Sequence, residues 1–336
     1  MVDPATPAES AGGHVLTTRP PAARLPDKIL RYGLGVLAAL LVVLIAFFFV
    51  QLAKEAAPAF EREGILGFVL KNDWNVNKDS FGALPLLIGT LITSGLALLI
   101  GVPVAVAAAV YATELAPRRI RSLLTIVVEL LAAVPSVVYG LWGIFFLAPN
   151  LKGAEQWFAS TFSFIPFIGG GTVTIPNYFV AGLVLAIMIL PIVSAISRET
   201  MSAVPASHKE AALALGATRW EMIRMAVFPY SRVGIVGGAM LGLGRAIGEA
   251  IAVAILIGNS PVLGKHLFGQ GYTLAAVIAN EFGEAQGLHR SALFASGVVL
   301  FVLTFAIYAV ARILVARAAR FTGGSATAVS DVAAGA

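Results

Sequence analysis

The sequence predicts an all-α, polytopic membrane protein with about six transmembrane helices. The chain of 336 residues is 58% hydrophobic and only 12% charged, whereas about a quarter of the residues in soluble domains are charged. Its mean hydropathy is +0.88. A membrane span needs about 20 consecutive, mostly apolar residues. Six stretches meet that requirement, at residues 29–51, 82–112, 123–148, 178–197, 233–258 and 292–316.

The distribution of basic residues predicts how these spans are oriented. Cytoplasmic flanks of membrane proteins carry an excess of Lys and Arg. When both termini are placed in the cytoplasm, the flanks on that side hold most of the 23 Lys and Arg residues. The net charge of +5 therefore reflects membrane topology, and it does not indicate binding to nucleic acid.

The two ends of the chain lie outside the predicted spans. Residues 1–23 are rich in Pro, Ala and Thr, and they predict a disordered cytoplasmic tail. Residues 24–320 form the predicted transmembrane domain, and the Gly-, Ala- and Ser-rich segment 321–336 predicts a second disordered cytoplasmic tail. The first span is uniformly apolar and too long for a cleaved signal peptide. We expect it to face lipid.

The third predicted span contains a carboxylate and a proline in the segment ELLAAVPSVVYG. A charged Glu129 inside the bilayer costs about 2.5–3.5 kcal/mol or more unless it is paired or hydrated. It lies either on a transport path or in a local packing contact. Pro135 cannot donate a backbone hydrogen bond, so it frees a carbonyl that a neighbouring group must satisfy. Ser136 and Tyr139 can donate hydrogen bonds to an anion, or they can pack near the kink.

The fifth predicted span carries two opposite charges near the middle of the bilayer. Arg245 and Glu249 are four residues apart, which places them on one face of a continuous helix. Charges at this depth face bundle interiors or water-filled cavities and mark transport paths. The guanidinium of Arg245 can donate two parallel hydrogen bonds to phosphate or sulfate, and Glu249 would hold it when no anion is bound. The alternative is a neutral ion pair that only fixes helix packing.

The same span contains glycines at regular intervals. Gly234, Gly238 and Gly242 lie four residues apart, as do Gly244 and Gly248. Small residues at this spacing let two helix backbones approach closely in a membrane. The helix that approaches them is either another helix of this chain or one from a second membrane chain.

A short polar stretch between the fourth and fifth predicted spans begins with the letters EAALALG at residue 210. Ser207 and Glu210 have the spacing of a capping box, which predicts the start of a helix. Gly216 can adopt the left-handed conformation that ends such a helix. The stretch therefore predicts one short helix outside the membrane.

A second short helix is predicted directly after the first. Thr218 and Glu221 repeat the capping-box spacing, and Pro229 is expected to stop the helix that they start. The result is a compact pair of helices on the cytoplasmic side, joined to two spans. Such a pair suits the docking of a separate soluble protein, although an ordinary helical hairpin is the alternative.

This loop resembles the EAA loop of ABC-importer permeases, whose pattern is E-A-A, three residues, Gly, nine residues and then I-x-L-P. Five positions match the pattern, namely Glu210, Ala211, Ala212, Gly216 and Pro229. Ala226 and Phe228 depart from the preferred Ile and Leu and alter only its tail. The resemblance implies that the loop, residues 198–231, docks a coupling helix into a cleft of an ATPase subunit. The implied coupling residues are Glu210, Ala211, Ala212, Leu215 and Gly216.

Two further segments narrow the resemblance. GLGRAIGEA at 242–250 and ELLAAVPSVVYG at 129–140, together with the loop, resemble the PstC-like subunits of phosphate importers of the Pst type. The resemblance covers about residues 30–320. Ala250 stands where that family commonly has Thr, so this chain lacks a hydroxyl at that position. The resemblance implies the fold of type I ABC-importer permeases, which is also called MetI-like.

The resemblance also implies partners and a location. It implies a complex with a second, PstA-like permease, an ATPase dimer of the PstB type and an extracytoplasmic phosphate-binding protein. ATP and Mg would be bound by the ATPase, and this chain would bind no cofactor. The expected location is the bacterial cytoplasmic membrane, where the chain crosses the lipid several times with both termini in the cytoplasm.

The sequence lacks the signatures of several other classes. Gly264 and Lys265 are followed by His266, and no Gly stands at 259, so there is no phosphate-binding G-x-x-x-x-G-K-[ST] loop and we expect no ATP hydrolysis by this chain. The four histidines lie outside the predicted spans, no cluster has metal-ligand spacing, and there is no cysteine. We therefore expect no catalytic residue and no metal site.

Two alternatives remain open at this level. A secondary transporter driven by an ion gradient could use Glu129, Arg245 and Glu249 as a proton relay, but it would need no docking helix. Within the ATP-driven class, the substrate could be another oxyanion, such as sulfate or molybdate. Dependence of transport on a partner ATPase would distinguish the two classes.

Overall fold

The computed structural model describes most of the chain, in the ranges 25–169, 171–264 and 266–333. Side chains are described between residues 29 and 313 within those ranges. The tail predicted at 1–23 lies outside the described residues. The tail predicted at 321–336 is helical as far as Ala333, because its alanines favour a helix and no proline interrupts it. Residues 334–336 also lie outside the described part.

The described residues form thirteen α-helices and one short β-hairpin. The helices are α1 (Leu25–Glu63), α2 (Ile65–Leu70), α3 (Leu84–Val110), α4 (Arg118–Ala133), α5 (Ser136–Trp142), α6 (Ala148–Thr161), α7 (Tyr178–Ser202), α8 (Ala206–Ala214), α9 (Arg219–Met222), α10 (Phe228–Gly248), α11 (Ile251–Leu256), α12 (Leu274–Glu281) and α13 (Gly287–Ala333). Wider π turns continue α3, α5 and α9, at Tyr111–Leu115, Gly143–Leu147 and Ile223–Val227. In the hairpin, β1 (Trp74–Asn75) pairs with β2 (Ser80–Phe81) in antiparallel orientation.

The chain divides into two compact units, residues 1–51 and 52–336. Within the first unit, the described part of α1 exposes its apolar side chains along nearly its whole length; Leu40, for example, is 62% exposed. An apolar helix without a buried face needs lipid or a partner chain to cover it. The second unit contains the rest of α1 and all the other helices. It also holds a large apolar core, which includes Tyr178, Leu185 and Ile189, and a smaller core described below.

Five helical segments are long and apolar enough to cross a membrane, at Ile29–Glu63, Leu84–Leu115, Tyr178–Ser202, Arg219–Gly248 and Gly287–Ile313. The third predicted span, 123–148, is sharply broken. In its place, α4 and the helical segment that starts with α5 meet at 94°. The break falls at Pro135, which cannot continue the hydrogen-bond ladder of α4. Counting this bent pair as one broken span gives six, the number that the sequence predicts.

α7 is the central helix of the second unit, and glycines bring its neighbours close. A Cβ built on Gly101 of α3 would lie 2.9 Å from the carbonyl oxygen of Ala186. A Cβ on Gly242 of α10 would lie 2.8 Å from a side-chain carbon of Val193 in α7. Gly234 and Gly238 face α7 as well. Glycines at this spacing therefore pack helices of this same chain.

The two ends of the bundle differ. One end, called the α8 end below, carries α8, α9 and a small apolar core formed by Ala109, Val110, Met201, Val204, Met222, Ile223 and Val227. At the opposite end, the hairpin is tied to the corner between α12 and α13. There the Trp74 indole donates to the Glu281 carboxylate at 3.1 Å, and His289 lies 2.8 Å from the same oxygen.

Candidate functional site

Arg245 lies near mid-height in the bundle. Because α10 packs along α7, the α7 residues that the α10 glycines face show how far along the bundle each part of α10 lies. Gly234 faces Thr200, close to the end of α7, whereas Gly242 faces Ile189, close to the middle of α7. Arg245 follows Gly242 by about one turn, so it lies level with the middle of α7. The structure thus places Arg245 near mid-height in the bundle, and its depth in the bilayer stays a prediction.

Arg245 also lies on a face of α10 that no other part of the described chain covers. Exposed residues recur along this helix at intervals of three or four, at Val233, Gly237, Leu241, Arg245 and Gly248. Val233 and Leu241 are 51% and 56% exposed, and no atom lies within 4 Å of a Cβ built on Gly237. We call this stripe the α10 face. Because a bare charge in lipid is costly, the α10 face must meet a partner chain or an aqueous path.

The expected pairing of Arg245 with Glu249 on one continuous helix is not observed. α10 ends at Gly248, and Glu249 has an extended backbone with φ −73° and ψ 115°. Its carboxylate accepts a hydrogen bond from the Ala252 amide at 3.2 Å and so caps the start of α11. Among the described residues, no ion pair within 4 Å joins Glu249 to Arg245. Gly248, directly before the break, weakens the helix there. The Glu249 carboxylate instead satisfies a backbone amide in the first turn of α11.

The break at Pro135 has a specific hydrogen-bond partner. In an uninterrupted helix the Leu131 carbonyl would accept from the amide of residue 135, and proline has none. The buried Tyr139 hydroxyl donates to that carbonyl at 2.8 Å. The sequence predicts that a neighbouring group must satisfy the freed carbonyl, and the structure identifies Tyr139 as that group. In this structure Tyr139 therefore packs at the kink, and its contact with an anion stays a prediction.

The two broken spans pack against each other. A Cβ built on Gly140 of α5 would lie 3.2 Å from the Ala252 Cα in α11, so the two half-helices touch through their backbones. The breaks after α4 and α10 therefore meet in one region near mid-height, with Arg245 beside it.

The remaining predicted path residues lie at the edge of this region. Ser136 is the first residue of α5 and is half-buried. Glu129 lies on an exposed face of α4. Within the described ranges, no ion pair joins the Glu129 carboxylate to a basic side chain. In the part of the chain that is described, the structure links neither Glu129 nor Tyr139 to Arg245 by a hydrogen bond or ion pair.

The first helix of the loop, α8, ends as predicted but starts differently. The prediction that Ser207 caps it was wrong, since α8 begins at Ala206 after Pro205 and has no side-chain cap. Pro205 is the N-cap residue, and its fixed φ of −56° is compatible with the start of a helix. At the other end, Gly216 is left-handed with φ +84°. Its amide bonds to the Leu213 carbonyl at 3.0 Å.

The second helix of the loop, α9, starts with the predicted capping box. The Thr218 amide donates to the Glu221 carboxylate at 2.7 Å, and the Glu221 amide donates to the Thr218 hydroxyl at 3.3 Å. The prediction that Pro229 stops this helix was wrong. A π turn shifts the hydrogen-bond register so that the Phe228 amide bonds to the Ile223 carbonyl. Pro229 then falls in the first turn of α10, where its missing N–H is not needed.

Most of the exposed surface of the loop is apolar. Leu215 is 90% exposed, Trp220 61% and Met225 60%. Glu210 and Ala211 are exposed as well, and Ala212 is half-buried. A groove of about 580 Å³ runs along this surface, lined by His208, Ala211, Ala212, Leu215, Met225, Ala226, Pro229 and Tyr230. A large apolar surface of this kind outside the spans marks a site for another protein.

The ion pair between Lys209 and Glu114 could not be found in the sequence. Lys209 lies in α8 and Glu114 in the π turn after α3, and Lys209 Nζ is 2.7 Å from Glu114 Oε1. The two residues are 95 positions apart. Neither belongs to the residues that the sequence pattern singles out, because only the tertiary fold brings the end of α3 beside α8.

A bundle of spans that break at mid-height beside an uncovered charge, with an exposed docking loop at one end, defines a membrane transport protein. The family model described as binding-protein-dependent transport system inner membrane component matches residues 101–320. Several curated proteins named phosphate transport system permease protein PstC are also similar. That of Pasteurella multocida is 44% identical over 74% of this chain and 79% of that protein.

Further relatives extend the match to most of the chain. The protein of the same name from Haemophilus influenzae is 38% identical over 87% of this chain and 93% of that protein. PstC 2 of Mycobacterium tuberculosis is 39% identical over 86% of this chain and 92% of that protein. The chain therefore belongs to the binding-protein-dependent transport permeases and, among them, to the PstC-type family.

Solved structures show the same fold. A chain of a bacterial ABC transporter involved in alginate import has a TM-score of 0.55 and 21% identity, over 88% of this chain and 99% of that chain. A chain of the MetNI methionine ABC transporter has a TM-score of 0.50 and 19% identity, over 70% of this chain and 94% of that chain. These likenesses confirm the predicted all-α fold of MetI-like importer permeases.

Proposed function

We propose that this chain is the membrane-spanning permease subunit of an ATP-driven importer that carries inorganic phosphate across the bacterial cytoplasmic membrane. The observation that carries the proposal is the position of Arg245, at mid-height on the α10 face. An oxyanion needs hydrogen-bond donors at the depth where water is farthest away. A guanidinium donates two parallel hydrogen bonds to a phosphate group. The names of the relatives support phosphate over other oxyanions.

The proposed path residues have different tasks. Arg245 contacts the moving anion. Glu249 holds the start of α11, and its negative charge keeps Arg245 from retaining the anion, since a transport site must also release its substrate. Tyr139 can turn its hydroxyl from the kink to the anion when α5 moves. Ser136 and Glu129 line the same path on the side of α4 and α5.

The exposed surface of the loop is the proposed contact with the ATPase. Glu210, Ala211 and Leu215 stand out from α8, Ala212 rests on the small core, and Gly216 ends the helix. ATP and Mg would be bound by the ATPase dimer, and this chain would contribute no catalytic group. The α8 end therefore lies in the cytoplasm, as do both termini.

The α10 face is the proposed contact with a second permease of the PstA type. Together the two chains would enclose Arg245 between them, which removes the exposed charge from lipid. The opposite end of the bundle would then receive phosphate from an extracytoplasmic binding protein. Lipid would cover the remaining apolar faces, including the first unit of the chain.

Reconstitution of the complex tests the proposal. The chain would be placed in liposomes with the second permease and the ATPase, and the binding protein added outside. We expect phosphate to stimulate ATP hydrolysis, and we expect Arg245→Gln to reduce uptake by about 10- to 100-fold, the equivalent of losing a charge-assisted hydrogen bond. Assembly and basal hydrolysis should persist. Arg118→Gln, at an exposed basic residue in α4, is the matched control and should transport normally.

Each contrary outcome has a defined meaning. Stimulation by sulfate or molybdate but not by phosphate would reassign the substrate. Uptake that survives an inactive ATPase and collapses with the proton gradient would indicate a secondary transporter. Normal uptake by the double variant Arg245→Gln with Glu249→Gln would show that both charges serve packing only.

A further inference from the structure

α8 is held to the rest of the chain by few contacts. None of its residues is buried. Ala212 is partly buried against the small core at the α8 end. The His208 ring meets the Tyr230 ring of α10 edge-on, with centroids 6.2 Å apart. Lys209 forms an ion pair in which its Nζ lies 2.7 Å from Glu114 Oε1. A helix that buries so little depends strongly on such a polar anchor.

The pair is shielded from water. The Lys209 side chain is 21% exposed and the Glu114 side chain only 6%. Ion pairs on a protein surface contribute little to the stability of the fold, because water and salt screen the charges. Removing one partner of a shielded pair leaves an uncompensated charge in a poorly hydrated place, and that is far more disruptive. The link between α8 and α3 is therefore stronger than a surface ion pair would be.

Glu114 belongs to a specialised part of α3. It lies in the π turn Tyr111–Leu115 that ends the helix, and turns of this kind are frequent at functional sites. The same turn is held from a second direction, because the Arg121 guanidinium in α4 donates to the Thr113 carbonyl at 2.7 Å. The end of α3 is thus fixed to α8 and to α4 by basic side chains.

The opposite end of α3 is fixed as well. The Leu274 amide at the start of α12 donates to the Thr90 hydroxyl at 3.0 Å. A Cβ built on Gly89 would lie only 2.0 Å from the Tyr272 carbonyl oxygen, so the loop before α12 rests directly on the α3 backbone. α3 therefore connects α8 at one end of the bundle with the loop before α12 at the other.

We propose that the ion pair between Lys209 and Glu114 is the link through which a displacement of α8 moves α3, and with α3 the loop before α12. This inference rests on the proposed function, in which α8 docks on the ATPase. Lys209 and Glu114 are positioning residues, since neither touches the anion. Without the pair, α8 moves with the ATPase while α3 lags behind, and ATP is hydrolysed with little uptake.

Charge reversal tests the link in the reconstituted complex. Lys209→Glu and Glu114→Lys each place like charges together, and we expect each to lower the phosphate imported per ATP by about tenfold. The double variant restores opposite charges and should recover most of that loss. Lys209→Arg keeps the charge and should stay close to wild type. Arg118→Glu is the matched control, because Arg118 is exposed and makes no ion pair within the described residues.

A second measurement does not depend on transport. The chain has no cysteine, so a spin label on Leu215→Cys reports the motion of α8 in nanodiscs. We expect either single reversal to make the label more mobile and the double variant to restore its mobility. Unchanged uptake and mobility in the single variants, or a double variant that restores neither, overturns the link. If wild type imports no phosphate but the label responds as expected, the proposed function fails while the link between α8 and α3 stands.

Discussion

Gly216 ends α8 in a conformation that glycine adopts without strain. Its φ is +84°, and a Cβ built on it would meet no atom within 4 Å. Substitution by Ala therefore adds backbone strain and no steric clash. The Gly216 and Ala217 amides bond to the Leu213 and Ala212 carbonyls at 3.0 and 3.2 Å, so the strain falls on the hydrogen bonds that close the last turn of α8.

We expect Gly216→Ala to lower the free energy of opening this turn by about 1–2 kcal/mol, the cost of a left-handed conformation for a residue with a Cβ. That change corresponds to about 5- to 30-fold faster hydrogen exchange of the amides in the turn. Hydrogen–deuterium exchange of the chain in nanodiscs, followed by mass spectrometry of peptides that cover α8, measures it. Gly216→Asn should change exchange less, because Asn tolerates the left-handed region.

The matched control is Gly153→Ala. Gly153 lies in α6, has an ordinary φ, and also has no atom within 4 Å of a built Cβ, so the same methyl group is added without strain. It should leave the exchange of α8 unchanged. Wild-type exchange in the Gly216→Ala variant, or equal acceleration by Gly216→Asn, would refute the assignment of the effect to the backbone of Gly216.

Two further substitutions probe the packing of the bundle, and thermal unfolding of the purified chain in detergent measures both. Tyr139→Phe leaves the part-buried Leu131 carbonyl without its donor and should destabilise the chain by about 1–3 kcal/mol. An unchanged midpoint would show that another group satisfies the carbonyl. Gly89→Ala forces a methyl group against the Tyr272 carbonyl 2.0 Å away, and we expect a loss of about 1–3 kcal/mol. Gly95→Ala, on the same helix with open space around it, should be neutral or stabilising, and equal losses at both glycines would contradict the packing argument.

Features that depend on neighbours in the sequence could be predicted. The approximate positions of the spans follow from hydropathy, because the energy of placing a stretch in lipid is a sum over its own residues. The breaks inside the third and fifth spans do not follow from it. The Thr218–Glu221 capping box and the left-handed Gly216 follow from local hydrogen bonds and from the absence of a Cβ. The position of Arg245 near mid-height in the bundle follows from its distance along a helix from the nearest flank.

Features in which a local rule competes with packing could not be predicted. Pro229 is a helix breaker by itself, yet α9 runs on into α10, because a π turn whose Ile223 and Val227 are buried in the small core shifts the register before the proline. Arg245 and Glu249 fit one helix by spacing. The chain breaks between them because Glu249 gains a hydrogen bond by capping α11.

The sequence by itself determined that this chain is an all-α membrane protein, roughly where its spans lie and which stretch forms the loop. Only the tertiary structure decided which face of α10 stays exposed and that Lys209 pairs with Glu114. It also decided that the Tyr139 hydroxyl bonds to the Leu131 carbonyl that Pro135 leaves free. The physical reason is the separation along the chain over which each interaction acts. Hydropathy, capping and backbone strain act over a few residues, whereas a contact across 95 positions exists only after the helices have packed.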